Sequence, residues 1–413
     1  MRSRIHSKGE GILPQMLRQY RRVRFLPAIF VACCFALFAP HVVAQQPQRS
    51  STPGTAAASG TPAAESGNLG REEQIELARR QGKAETAVLD WVLANSGPLT
   101  GDARLTEMRI VFAITPAEGW WDKAGGNKLA WHDAPDGNVH LRIFVADARD
   151  GRLLPGLTVH AALIDANGNQ QSVPVDFGWY PLINAYGANV PIDTDSRYTL
   201  RVTVDPLPPE HRSFFAGDRF GHPAIVEFLP VEIAQEAVSQ LPLATATAYF
   251  KEAELLKPCN AALSAAITAL WTESISGIEK PDGDYFVGYA IDYSVGGSIG
   301  RVKNLIKFSG KEDVHLEVVP RDSRSGRIIP GLKVQASLTA ADGKHYEAGE
   351  LPFVWHPWLN RYEHGIRVPR KGLYRLHVHF EAPGYRRWGQ QSERFASASD
   401  VEFENVSLKP EKD

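Results

Sequence analysis

The sequence predicts a mainly β protein built as two β-sandwich domains, with additional helices before the first and between the two. Three observations carry that expectation. A block of strand-like sequence occurs twice, short apolar–polar alternations within each block are separated by Asp, Gly, Asn and Pro turns, and the helical signals fall outside both blocks. The repeated block starts as VHLRIFVADARDGRLLPGLTVHAAL at Val139 and returns as VHLEVVPRDSRSGRIIPGLKVQASL at Val314, a constant offset of 175 residues. His140 matches His315, Asp147 matches Asp322, Gly151-Arg152 matches Gly326-Arg327, and Pro155-Gly156-Leu157 matches Pro330-Gly331-Leu332. One inserted residue then moves the offset to 176, where Pro181, Asn184, Tyr186, Tyr198 and Leu200 match Pro357, Asn360, Tyr362, Tyr374 and Leu376. It returns to 175 where Asp218-Arg219-Phe220 meets Glu393-Arg394-Phe395 and Val226-Glu227-Phe228 meets Val401-Glu402-Phe403. Stacked repeats have periods of about 20 to 50 residues, so a period this long means duplication of a whole domain.

In chain order, residues 1–44 read as a signal peptide. Arg18, Arg21, Arg22 and Arg24 precede an apolar run from Phe25 to Phe38, and Val42-Val43-Ala44 supply a small residue at the cleavage point. The run is shorter than the roughly 20 apolar residues that cross a bilayer, so export with cleavage is expected. Residues 45–70, rich in Gln, Ser, Thr, Pro, Ala and Gly, read as a disordered linker. Residues 71–100 form a helical segment, with apolar residues at helical spacing from Arg71 to Asn95 and Ser96-Gly97-Pro98 as the stop. Residues 101–230 hold the first sandwich, with strands at MRIVFAI from Met108 and RYTLRVTV from Arg197, and a loop at Trp120-Trp121 and Gly125-Gly126. Residues 231–280, rich in Ala, Leu and Glu and broken by Pro242 and Pro258, read as a helical linker. Residues 281–413 hold the second sandwich, where YFVGYAI from Tyr285 repeats the upstream strand and LYRLHVHF from Leu373 repeats the alternating one. Short strands at this spacing fit immunoglobulin-like sandwiches. Once the signal is removed Cys259 is the sole cysteine, so no intramolecular disulfide can form, and a buried apolar thiol is expected. The glycine-rich run 296–300 reads as a flexible turn.

Of 413 residues 43% are hydrophobic, enough for buried cores; 45 Lys and Arg against 47 Asp and Glu give a net charge of -2, so there is no basic field to hold nucleic acid. The mature chain carries no nucleophile elbow, P-loop or paired metal-helix motif, and no enzyme is expected. Histidines are the candidate ligands. His315 and Glu317, two apart on a strand, share a face, as do His377 and His379. With His356, just before Pro357, they give the second copy a ligand set that suits Cu, Zn or Fe. The first copy keeps His140 but has Arg142, Tyr180, Arg201 and Thr203 where the second has Glu317, His356, His377 and His379. Trp120, Trp121, Trp179, Tyr180, Trp355 and Trp358 suit either a sugar platform or core packing, the commoner fate of such residues.

Each copy resembles the periplasmic iron (Fe2+) transport proteins of Gram-negative bacteria. The resemblance rests on His315-x-Glu317 in an early strand, His356-Pro357 followed by Tyr362, and the alternating strand led by Tyr374, with WYPLINAYGANV from Trp179 as the local match in the first copy. It covers about residues 105–230 and 283–408. It implies immunoglobulin-like domains that bind a divalent metal, Fe or Cu, often as homodimers, and that serve an inner-membrane iron permease. It further implies that His315 and Glu317 are ligands and that His356 stands at the family's methionine position. The next family histidine falls near Arg361 in the second copy and Ala185 in the first; the last falls near Arg386 and His211 respectively. Because a two-fold interface repeats one patch on both partners, a duplicated chain can form an intramolecular pseudo-dimer. Either His211 then completes one site with His315, Glu317 and His356, or the site is a decayed one in a domain kept for packing or for a partner. The expected function is periplasmic divalent-metal binding in iron, or copper-linked iron, uptake. The alternative is a metal-free interaction module that presents loops to a protein or glycan.

Overall fold

The computed structural model describes residues 71–233, 278–293 and 314–408, apart from short gaps at 98, 136–137, 193–195, 214–215, 358 and 369–370. The signal and linker segments, Trp358, the glycine-rich run, and residues 234–277 with Cys259 lie outside the described residues.

Helix α1 (Arg71–Asn95) buries Ala78, Gln81, Glu85, Val88, Leu89 and Val92, positions three or four apart that make one face. Gly82 lies within that stretch, and a Cβ there would come 1.8 Å from the Asp150 carbonyl oxygen, so a glycine lets the helix approach this closely. The helix ends where the Ser96 N–H and hydroxyl both bond to the Val92 carbonyl and Gly97 takes a φ of 88°.

The first sandwich opposes two antiparallel sheets. One has the order β1 (Thr100–Arg104), β2 (Met108–Pro116), β5 (Asn138–Asp147), β9 (Ala185–Pro191), β8 (Asp176–Gly178). The other has the order β11 (Ala224–Ile233), β10 (Ser196–Val204), β6 (Val159–Ile164), β7 (Gln170–Val173). The second sandwich repeats both. Its five-stranded sheet runs β12 (Ile278–Asp282), β13 (Tyr285–Tyr293), β14 (Val314–Asp322), β18 (Arg361–Ile366), β17 (Phe353–Val354). Its four-stranded sheet runs β16 (His345–Leu351), β15 (Val334–Ala340), β19 (Gly372–Phe380), β21 (Ser399–Leu408). The register repeats too, Met108 opposite Asp147 in one copy and Tyr285 opposite Asp322 in the other. Alternation sends Val139, Leu141, Ile143 and Val145 into the first core and Val314, Leu316 and Val318 into the second. The mainly β fold of two sandwiches is the one the sequence predicts, with one α-helix among the described residues. That helix covers the outer face of the first five-stranded sheet, packing Val88, Leu89 and Val92 with Val111, Ala113 and Phe144.

Two expectations need correction. The interior of the helical linker expected at 231–280 lies outside the described residues, and only its bounds change: β11 runs on to Ile233, paired with Ser196, and β12 starts at Ile278. At both ends cross-strand pairing overrides local composition. Trp120 and Trp121, expected in a loop, open strand β3 (Trp120–Lys123), which pairs with β4 (Leu129–His132) and with β20 (Arg387–Trp388) of the second copy. Ring packing supports this small sheet: Trp120 stacks on His132 at 5.0 Å and lies 5.6 Å from Trp388.

The copies grip each other through reciprocal contacts. Trp179 of the first copy sits in the second core, edge-on to Phe395 at 4.9 Å, and Trp355 of the second sits in the first core, edge-on to Phe220 at 4.9 Å. Phe220 and Phe395 both take a positive φ, 59° and 58°, a costly conformation for a bulky residue that recurs at the same place in each copy. Arg152 donates to the carbonyls of His356 (3.1 Å) and Pro357 (2.8 Å), while Arg327 donates to those of Tyr180 (3.0 Å) and Pro181 (3.3 Å). The Trp179 N–H bonds to the Arg386 carbonyl at 3.0 Å, and the Trp355 N–H to the His211 carbonyl at 2.9 Å. Every one of these contacts has a partner with the copies exchanged, the pattern of a two-fold interface.

Within each copy the matched residues do matched work. Tyr186 donates its hydroxyl proton to the Leu154 carbonyl and accepts the Leu157 N–H, pinning the Pro155-Gly156-Leu157 turn. Tyr362 does the same with Ile329 and Leu332. Arg219 pairs with Asp147 at 2.5 Å, and Arg394 with Asp322 at 2.6 Å.

Candidate metal centre

The outer face of β14 and β18, away from the sandwich core, carries the densest group of ligand-type side chains among the described residues. Strand alternation puts His315 and Glu317 on that face, and the antiparallel register sets Glu363 directly opposite Glu317. Ligand atoms of His315, Glu317 and Glu363 all lie within 4.8 Å of one another. His315 Nε2 is 3.4 Å from Glu363 Oε2. Arg361, two residues before Glu363 on the same face, reaches both acids: its Nε is 2.6 Å from Glu363 Oε2 and one terminal nitrogen is 2.8 Å from Glu317 Oε1.

These groups are largely out of water, so their charges depend on one another. Burial opposes a charge on His315, but the hydrogen bond and charge of Glu363, with help from Glu317, outweigh it and raise the imidazole above its ordinary range. Burial would raise Glu363, yet Arg361 and then His315 hold its carboxyl well below the usual range. His356 lies fully buried nearby, its backbone N–H bonded to Asn360 Oδ1 at 3.2 Å. Burial and then the charge of Arg361 hold its imidazole neutral, well below the ordinary histidine range.

One imidazole and two carboxylates at this spacing fit a divalent first-row ion, for which metal–ligand bonds of about 2.0–2.2 Å put ligand atoms a few ångströms apart. The guanidinium offsets part of the charge of the two acids, so an ion entering here competes with Arg361 for the same oxygens.

The remaining sequence candidates are placed elsewhere. His140 holds the equivalent place in the first copy, where Arg142, Ala185 and Gly187 stand in for Glu317, Arg361 and Glu363. There its Nε2 meets the Tyr180 hydroxyl at 2.8 Å and its Nδ1 meets Asn189 Oδ1 at 3.0 Å. Gly187 makes this possible, because a Cβ at that position would fall 2.0 Å from the Tyr180 oxygen. Burial pushes His140 down to about 4. The imidazole is thus a neutral, hydrogen-bonded core group, and Arg142 faces Glu118 at 3.9 Å. His211 reaches across to the second copy, but its Nδ1–H donates to the Phe353 carbonyl at 2.8 Å, and it does not belong to the acid cluster. The shared site expected from His211 is therefore not assembled. His377 and His379 lie on β19, in the other sheet of the second sandwich, where both face Asp400. Trp179, Tyr180 and Trp355 are buried, which removes them from a sugar platform.

Glu363 was missed by sequence reasoning. It lies in RYEHGI, two residues after Arg361, and becomes visible as a ligand only when that segment is set antiparallel to His315-x-Glu317 in the register where the two glutamates meet.

No family model matches the chain, and no curated protein matches it. Solved structures match parts of it. FetP of uropathogenic Escherichia coli strain F11 is 22% identical, with 32% of this chain and 95% of that one covered and a TM-score of 0.26. A DUF4426 family protein from Pseudomonas aeruginosa PAO1 is 16% identical, covering 33% of this chain and 99% of that one, with a TM-score of 0.23. The copper-reconstituted P19 protein from Campylobacter jejuni is 15% identical, covering 32% and 96%, with a TM-score of 0.24.

Proposed function

We propose that this chain is a periplasmic protein that binds a divalent first-row metal, iron(II) or copper(II), at His315, Glu317 and Glu363, and passes it to an inner-membrane iron permease. The convergence of one imidazole and two carboxylates within 4.8 Å on one face of the second sandwich carries this reading. The His-x-Glu resemblance agrees with it, and the basic and apolar N-terminus supports export. Among the described residues no helix is long and apolar enough to cross a membrane. Arg361 gives the binding its character. Entry of the ion releases the guanidinium from both acids and departure restores it, so neither state leaves two buried carboxylates uncompensated. Such exchange suits a carrier that must give its cargo up.

Calorimetric titration with Fe2+ under anaerobic conditions and with Cu2+ tests the proposal. The Glu317→Gln, Glu363→Gln double variant should lose the heat of binding at this site, called the inner site below. Arg361→Met should bind the ion more tightly than the wild type, because the competing cation is gone. Its melting temperature should rise with added metal, since a ligand present at about 100 times its Kd stabilises by about 2.7 kcal/mol.

A second reading is favoured by the same arginine. With Arg361 bonded to both acids the cluster is a closed ion network, and the chain then acts as a metal-free interaction module for a protein or glycan. Identical titrations for the wild type and both variants would select that reading.

A further inference from the structure

The solvent-facing side of the second sandwich's other sheet holds a separate group of ligands. His377 and His379, two apart on β19, point to one face, and the register with β21 sets Asp400 opposite His379 and Glu402 opposite His377. Asp400 bridges the two imidazoles: one carboxylate oxygen makes a short contact with His377 Nε2, and the other lies 3.4 Å from His379 Nδ1. Glu381 approaches the far nitrogen of His379 at 3.6 Å. Glu402 is drawn aside by Arg375 at 3.9 Å, which leaves Asp400 as the acid shared by both rings. His345 pairs instead with Glu347 at 2.6 Å on the far strand of the sheet.

We propose that His377, His379 and Asp400 form a second, surface site that captures Cu2+ from solution. Two imidazoles and a carboxylate are a donor set that favours copper(II) over its first-row neighbours. Asp400 already reaches both rings through its two oxygens, and rotation of these exposed side chains brings one nitrogen of each ring and a carboxylate oxygen onto a single ion. Side-chain exposures of 39%, 31% and 65% mean that the ion enters without a backbone rearrangement and keeps open positions for exchange. The first copy is an internal control. At the corresponding positions it has Arg201, Thr203 and Ile225, with Arg201 paired to Glu227, and offers no ligand pair there. The proposal stands independently of the inner site, because the two groups lie on different sheets.

The test is Cu2+ titration of the full chain followed by calorimetry and electron paramagnetic resonance. The wild type should show a copper signal with nitrogen coupling that survives Glu317→Gln with Glu363→Gln. His377→Ala with His379→Ala should remove that signal and its binding equivalent, while leaving inner-site heat unchanged. Asp400→Asn should weaken the site by at least about tenfold. His345→Ala should leave it as it was. Introducing Arg201→His, Thr203→His and Ile225→Asp together should add one further equivalent in the first copy. Copper uptake seen only at large metal excess, or unchanged by the His377 and His379 substitutions, would overturn the proposal.

Discussion

At the scale of single residues, two buried ionisable groups make the molecule's stability depend on pH in opposite directions. His140 is held at about 4 against 6.5 for an ordinary histidine, chiefly by burial. The unfolded chain therefore binds an extra proton between those values. The stability this neutral group contributes is complete above about pH 6.5 and is withdrawn on acidification toward 4, by up to about 3 kcal/mol. His140→Gln should flatten that part of the profile in denaturant titrations run at several pH values. Glu85 on α1 is raised by burial to about 7, although it accepts bonds from Gln81 at 3.0 Å and the Leu153 N–H at 2.6 Å. Here the folded chain binds the extra proton. The contribution is complete below about pH 4.5 and falls as pH rises through 7. Glu85→Gln should therefore leave stability near pH 4.5 little changed and raise it at pH 8. A variant that is less stable than the wild type at pH 8 would show that the carboxylate is better compensated than its surroundings suggest.

At the scale of elements, the exchanged tryptophans couple the two copies through their cores. Removing Trp355 deletes a ring from the first core although the residue belongs to the second copy. Trp355→Ala is expected to cost about 3–5 kcal/mol. In hydrogen exchange the loss should appear in β5 and β10 before β14 and β19, and the reverse pattern would contradict the packing. The matched residues of the two copies turn out to be scaffold: Asp147 with Arg219, the tyrosines under the Pro-Gly-Leu turns, and Arg152 and Arg327 across the interface. All of these were legible as repeats, because backbone geometry demands the same residue wherever it recurs. The candidate site was legible only in part. His315 and Glu317 announce themselves by strand spacing, but Glu363 and Arg361 join them through pairing with a strand about 45 residues away, which local periodicity does not encode. His140, His211, His377 and His379 have the right chemistry, and their positions on other faces keep them out of the inner cluster.

At the scale of the whole molecule, the reciprocal contacts make each sandwich part of the other's core. The full chain should unfold in one transition seen alike by tryptophan fluorescence and by strand circular dichroism. Residues 71–233 produced alone should unfold at a lower denaturant concentration than the same sandwich within the full chain; equal midpoints would mean that the exchanged rings contribute nothing. Fusion also relaxes a constraint that binds true homodimers, in which every substitution appears on both sides of the axis. Here one half has Arg142 and Gly187 where the other has Glu317 and Glu363, and only the second half assembles acids around its histidine. The crossing of Trp355 has a further consequence in time. The first sandwich is complete in sequence at Ile233 and the ring that fills its interior comes only at Trp355, so a chain that emerges N-terminus first presents that sandwich with an aromatic-sized hole open. Until Trp355 arrives, the apolar lining of that hole is surface of the kind chaperones bind.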